Sequence, residues 1–257
     1  MPTPTPPQGL LDGKVVLVIG ASVGIGADAA RVFAREGASV MLVARGEGPL
    51  RSVTESIAAE GLSVDMVSGD VSVARDVTRM VDATVERFGR LDGAFNNAGL
   101  TQGGRLDEVS EEDFDRLFAV NVKGVWLALR EELRVMRAQG SGSIVNVSSI
   151  GGVRGSSGLG AYQATKHAVI GLTRTAAHDN GPLGIRVNVL APGPTESPML
   201  DKTREAIPGG VEARIAATPL RKAGTGTEVG NAAAWLLSDR ASHISGVVLP
   251  VDGGFSA

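Results

Sequence analysis

The sequence predicts an α/β protein built as one doubly wound domain, with a parallel sheet of about seven strands flanked by helices. Three observations carry that expectation. Short runs of branched apolar residues alternate with longer segments that read as amphipathic helix. The runs are apolar without interruption, as in Val15-Val16-Leu17-Val18-Ile19, which marks strands covered on both faces. The connections are short, and parallel neighbours require crossovers that helices supply.

Val15–Ile19 is the first strand, and Gly20-Ala21-Ser22-Val23-Gly24-Ile25-Gly26 follows it as a glycine-rich turn. Residues 27–36 read as helix, ended by Gly37. A strand over 39–43 and a helix over 49–60 come next, then a strand over 62–67 and a helix over 73–88. The alternation continues with a strand at 91–96, a long helical region over 111–139 and a strand at 143–148. A helix over 160–179, a strand over 185–190, a helix over 229–237 and a last strand over 247–251 complete it. No change of composition divides 11–257, so it reads as a single domain.

The segment 194–220 departs from the alternation. Its Pro and Gly breaks separate the sixth strand from the 229–237 helix, and an insertion of that length predicts a lid over substrate. Met199, Leu200 and Ile207 predict an apolar inner face for it. Residues 1–10 begin Met1-Pro2-Thr3-Pro4-Thr5-Pro6-Pro7, without a basic stretch followed by an apolar core. This predicts a disordered, solvated tail and not a secretory signal.

Composition removes several classes of function. A formal net charge of −3 gives no general attraction to nucleic acid or to an anionic membrane. No apolar run approaches the ~20 residues that cross a bilayer. The chain has no cysteine, which excludes disulfides, thiolate metal sites and cysteine nucleophiles and fits a cytoplasmic setting. His167, His178 and His243 are scattered without ligand spacing, so no metal is expected. Arg130, Arg134 and Arg137 share one helical face. A solvated or subunit-facing stripe accounts for them better than a surface for an acidic carrier protein.

Two stretches carry chemistry. Tyr162 and Lys166 stand four apart, so they share a helix face, and Tyr162 is the only tyrosine. A phenol has an unperturbed pKa of about 10 and is a poor acid at neutral pH until a neighbouring cation stabilises its phenolate. That spacing alone is common on helix surfaces. The second stretch, Gly20 to Gly26, allows close backbone approach, and the helix N-terminus behind it offers free N–H groups to a phosphate. The second strand then ends Val43-Ala44-Arg45 with no acid before Glu47. A carboxylate there would hold a ribose 2′-hydroxyl, whereas a 2′-phosphate needs a cation such as Arg45, so NADP(H) is expected over NAD(H).

From Leu11 to Gly254 the chain resembles the classical short-chain dehydrogenase/reductases. Gly20 to Gly26 matches that family's cofactor loop, Asp70-Val71 its adenine-contacting pair and Asn96-Asn97-Ala98-Gly99 its N-N-A-G motif. Pro192-Gly193 and Val251-Asp252-Gly253-Gly254 match as well. The resemblance implies a Rossmann-type fold and cofactor contacts from Gly20, Ser22, Val23, Gly24, Ile25, Gly26, Arg45, Asp70 and Val71. It extends them to Asn97, Ala98, Gly99, Tyr162, Lys166, Pro192, Gly193, Thr195 and Ser197. It also implies a catalytic set: Tyr162 as general acid/base, Ser149 holding the substrate oxygen, Lys166 on the ribose, and Asn121 seating a relay water. Ser149 lies 13 positions before Tyr162 and fits better than Ser148, which stays as the alternative. Ile19 replaces a usual threonine, and Ser197 stands where a threonine often touches the nicotinamide.

The expected activity is interconversion of a small-molecule carbonyl and a secondary alcohol. The alternatives are a 3-oxoacyl-carrier-protein reductase of fatty-acid or polyketide synthesis and, further off, a nucleotide sensor or scaffold without turnover. Residues 151–160 contain no bulky aromatic, which predicts an open substrate end. The resemblance also implies a homotetramer, with no nucleic-acid or membrane partner.

Overall fold

A computed structural model of the 257-residue chain describes residues 9–206 and 209–257. Seven strands form one parallel sheet in the order β3-β2-β1-β4-β5-β6-β7. They are β1 (Val15–Ile19), β2 (Ser39–Ala44), β3 (Val64–Ser68), β4 (Gly93–Asn96), β5 (Gly142–Val147), β6 (Ile185–Pro192) and β7 (Val248–Val251). The chain adds strands outward from β1 to β3, then returns to place β4 on the other side of β1. That reversal leaves a crevice at the carboxyl ends of β1 and β4, where ligands of open α/β sheets bind.

Helices cover both faces. They are α1 (Gly24–Arg35), α2 (Glu47–Ala58), α3 (Ala74–Phe88), α4 (Glu111–Phe118), α5 (Gly124–Gln139), α6 (Gly160–Asn180), α7 (Pro198–Ala206), α8 (Gly210–Ala217) and α9 (Gly226–Leu237). On one face, Ala29, Ala30 and Phe33 of α1 pack with Val229, Ala233 and Leu237 of α9 over Val16, Val18 and Phe95. On the other face α3, α5 and α6 pack over Leu17, Ile19 and Ala94. Every residue of β1 is buried, as an interior strand between two helix layers must be.

Three departures from the sequence reading bear on the site. The helix after the glycine turn begins at Gly24 instead of residue 27, so the turn itself forms its opening. The long helical region is interrupted by a π-helical turn at Ala119–Lys123, where the Gly124 N–H reaches back to the Ala119 carbonyl. The segment 194–220 is largely helical, carrying α7 and α8, and Thr195 pairs with Gly224 to close its base. Ile207 lies outside the described residues, as do residues 1–8 of the tail expected at 1–10. At Leu10 the backbone N–H already donates to Glu36 Oε2 at 2.7 Å. Among the described residues no helix is long and apolar enough to cross a membrane.

The arginine stripe on α5 is occupied by neighbours. Arg130 and Arg134 both donate to Glu131, Arg134 also to Asp82, and Arg137 to Asn180 Oδ1.

Candidate active site

A cavity of about 750 Å³ opens at the crevice between β1 and β4. Its cofactor end is built by the loop after β1. Gly20 N–H donates to Val43 O at 2.8 Å, tying the loop to β2. The first N–H groups of α1 have no side-chain cap, because its N-cap is Val23. Uncapped donors at a helix N-terminus are a ready anion site. Gly26 does not line the cavity. Its backbone packs on Gly20, where a Cβ would come within 2.0 Å of the Gly20 carbonyl oxygen, so glycine is what lets helix and loop touch.

The turn after β4 is held against this loop without help from position 19's side chain. Asn97 N–H donates to Ile19 O at 3.0 Å, and Asn97 Nδ2 donates to Gly20 O at 3.0 Å. Both bonds end on main-chain carbonyls, so neither depends on a hydroxyl at position 19.

At the end of β2, Arg45 lines the cavity with its side chain 61% exposed, 3.7 Å from Asp70. Asp70 itself lies behind the wall. Burial works to raise its carboxyl, but hydrogen bonds from Ser72 and the charge of Arg45 hold it below the usual carboxylate range. Val71 lines the cavity beside it.

The other end is built by the residues after β5 and the first turns of α6. Ser148 Oγ donates to the Lys166 carbonyl at 2.8 Å and is thereby spent on holding α6 to β5. Ser149 caps a short 3₁₀ turn, accepting from Gly151 N–H at 3.1 Å, and hydrogen-bonds with Tyr162. Burial pushes the Tyr162 phenol above its ordinary pKa, while the Ser149 bond pulls the other way. Lys166 Nζ donates to Val147 O at 3.0 Å and sits 5.6 Å from the centre of the Tyr162 ring. Burial lowers its pKa to about 8. The expectation that Lys166 depresses the phenol is thus opposed here by desolvation, which favours the neutral form of both groups.

Asn121 lies in the π-helical turn, fully buried behind the cavity wall. Its amide accepts from Leu100 N–H at 2.8 Å and donates to Leu100 O at 2.9 Å and Thr165 Oγ1 at 3.0 Å. Thr165 Oγ1 in turn donates to the Tyr162 carbonyl. One side chain therefore joins the N-N-A-G loop to the turn of α6 that carries Tyr162.

The remaining expected residues fall as follows. Gly20, Ser22, Val23, Gly24, Ile25, Asn97, Ala98, Gly99, Pro192, Gly193, Thr195 and Ser197 all line the same cavity, whereas Gly26, Asp70 and Asn121 support it from behind. Ser197 Oγ donates to Thr195 O at 3.0 Å and accepts from Leu200 N–H, starting α7. Thr195 Oγ1 donates to Gly193 O.

The sequence reading missed Phe255 and Arg214, which line the cavity, and Glu132, which is buried on α5. Phe255 supplies the aromatic that 151–160 lacks. It follows the last strand, and Arg154 lies 4.8 Å over its ring. Glu132 Oε2 accepts from Asn96 Nδ2 at 3.0 Å, and burial raises its pKa to about 7. A glutamate in an otherwise apolar helix stripe was the signal that could have flagged it.

The donor set fits a dinucleotide: an uncapped helix N-terminus, a cation at the end of β2, and hydroxyl and amide groups around the Tyr162 end. Among the described residues no cluster of His, Asp and Glu could hold a metal.

Residues 20–256 match the family model described as Enoyl-(Acyl carrier protein) reductase. The chain is 43% identical over 254 residues to the A-factor type gamma-butyrolactone 1'-reductase (1S-forming) of Streptomyces virginiae, covering 97% of this chain and 98% of that one. The crystal structure of levodione reductase superposes with a TM-score of 0.92 at 37% identity, covering 96% of this chain and 99% of that one. That of 3-ketoacyl-(acyl-carrier-protein) reductase from Brucella melitensis complexed with NADH gives 0.89 at 34%, covering 96% and 100%.

Proposed function

This chain belongs to the short-chain dehydrogenase/reductase family, and on that premise we propose that it interconverts a carbonyl and a secondary alcohol, with Tyr162 as general acid/base. The observation that carries the proposal is convergence. The dinucleotide-fitting loop and the Ser149, Tyr162 and Lys166 side chains line one cavity. When bound, a nicotinamide dinucleotide supplies or accepts the hydride at the substrate carbon.

Tyr162 gives its phenolic proton to the substrate oxygen in reduction and recovers it in oxidation. Burial keeps that phenol protonated at neutral pH, which suits it to act as an acid. Ser149 hydrogen-bonds the same oxygen and steadies the charge that develops there. Lys166 reaches the ribose and returns a proton toward Tyr162. A water seated at the π-helical turn that carries Asn121 would link Lys166 to solvent.

The test is a spectrophotometric panel of ketones, acetoacetyl thioesters, sugars and alcohols, each with both nicotinamide cofactors. Failure to turn over any carbonyl or alcohol would sink the proposal. The likeness to a 3-ketoacyl reductase favours one second reading, a 3-oxoacyl thioester reductase, and the thioester arm tests it.

We assign the cofactor as NADP(H) because β2 ends in Ala44-Arg45 without an acid and Arg45 lines the cavity. Arg45→Ala is expected to lower the NADPH-to-NADH ratio of kcat/KM by about tenfold or more, the size of one charge-assisted contact. An unchanged ratio would remove the assignment. We propose a homotetramer assembled through the helical region that carries Asn121, the Tyr162 helix α6 and the last strand. The exposure of Phe114 and Trp126, 39% and 47%, on the helices that flank Asn121 is in keeping with it. A light-scattering mass of one chain would refute that assembly.

A further inference from the structure

The charges around the cavity are all of one sign. Among the described residues Arg45, Arg154, Lys166 and Arg214 line it and no Asp or Glu does, in a chain whose formal net charge is −3. Arg45 stands at the dinucleotide end and Lys166 beside the phenol. The other two arginines belong to elements that wall the substrate end. Arg154 lies in the loop between Ser149 and Tyr162, and Arg214 lies on lid helix α8 one turn after Val211, which also lines the cavity.

The two arginines differ in how they are held. Arg154 donates to the Phe255 carbonyl at 3.1 Å and lies over the Phe255 ring, so it is anchored without a carboxylate. Arg214 is half-buried and makes no ion pair or hydrogen bond with any described residue. Its lid could have neutralised it. Instead the lid acids Glu196, Asp201 and Glu212 all converge on Arg204, at 3.1, 2.8 and 3.0 Å. The lid helices line the cavity otherwise with Pro198, Met199, Leu200, Thr203 and Val211, a mostly apolar wall. A guanidinium beside apolar walls is weakly solvated, and a planar anion would meet it with a charge-assisted, bidentate contact.

Resting on the oxidoreductase reading above, we propose that the substrate is a carbonyl compound carrying an anionic group, carboxylate or phosphate, which Arg214 binds from the lid while the carbonyl faces Tyr162. An apolar spacer between the two groups would lie along Met199, Leu200 and Val211.

The experiment compares oxo-carboxylates of increasing chain length with their methyl esters and with the matching ketone phosphates. It uses the full chain with its preferred dinucleotide, on wild type, Arg214→Met and Arg214→Lys. The expected result is that an acid or phosphate of one chain length exceeds its neutral ester in kcat/KM by ~10–100-fold, the range of a charge-assisted bond. Arg214→Met should erase that preference by raising the KM of the acid toward that of its ester, and Arg214→Lys should restore part of it. The better of the carboxylate and phosphate arms identifies the group. Esters used as well as acids by wild type would overturn the proposal, as would an Arg214→Met effect confined to the KM of the dinucleotide. In either case reduction of the ester's ketone that depends on Tyr162 leaves the oxidoreductase reading standing, whereas failure to reduce any carbonyl removes it.

Discussion

Tyr162→Phe is expected to lower kcat by ~10²–10⁴-fold, the usual contribution of a positioned general acid, with dinucleotide affinity unchanged. The substitution removes one oxygen and keeps the ring that packs against the Lys166 stem. The ring's place in the wall is therefore preserved, and the loss reports the proton. Steady-state rates with the best carbonyl of the panel, beside a fluorescence titration of the dinucleotide, separate the two effects. Turnover that survives in the phenylalanine variant would mean that another group supplies the proton. The direction of the phenol's pKa adds a second readout. Because burial holds Tyr162 in its protonated form, reduction should stay level across neutral pH. Oxidation needs the phenolate and should climb as pH rises.

The second large effect concerns stability. Glu132 is fully buried, its Oε1 has no hydrogen-bond partner, and neither has Asn96 Oδ1 in the same contact. Its hydrogen-bond partner is the neutral amide of Asn96, which also donates to Asn146 Oδ1, and Asn146 donates to Thr173 Oγ1. A proton on Glu132 turns one orphaned acceptor into a donor. Its folded pKa of about 7 lies above its ordinary 4.5, so between those values the native state binds more protons than the unfolded chain. Stability should therefore fall as pH rises through that window, by about 3 kcal/mol in all, and then level off. Glu132→Gln keeps the shape, supplies an amide donor and removes the titration. Urea melts of both proteins at pH values on either side of the window check this, and parallel pH dependence would refute it. Lys166, lowered to about 8, acts in the opposite sense and only above that pH, where the unfolded chain holds the extra proton.

The strands were legible because β1 and its neighbours are apolar on both faces, and the crevice followed from their alternation with helices. The glycine loop, Tyr162 and Lys166 were legible because each carries its chemistry in a local spacing. Features that arise between distant segments were not. The π-helical turn at Ala119–Lys123 has no composition of its own, since Ala119-Val120-Asn121-Val122-Lys123 reads as ordinary helix. Its cause is tertiary: Asn121 is drawn inward by the Leu100 backbone and Thr165. Phe255 and Arg154 are 101 positions apart, and nothing local says that they meet. Arg214 reads as one more charged residue of a surface helix until Glu196, Asp201 and Glu212 of the lid are seen to be taken by Arg204.

The pairing of α1 with α9 has a consequence for how the chain comes into being. Residues 24–35 are made long before the helix that shields them, residues 226–237. Gly230 of α9 lies so close to α1 that a Cβ there would come within 2.9 Å of Ala29 Cα, so no looser neighbour stands in for it. A nascent chain that stops before residue 226 leaves Ala29, Ala30 and Phe33 without their cover. Such a chain carries the complete dinucleotide loop on a half-dressed sheet, and its exposed face invites other chains. The part of the molecule that reads most clearly as a binding motif therefore depends for its shelter on a helix made long after it.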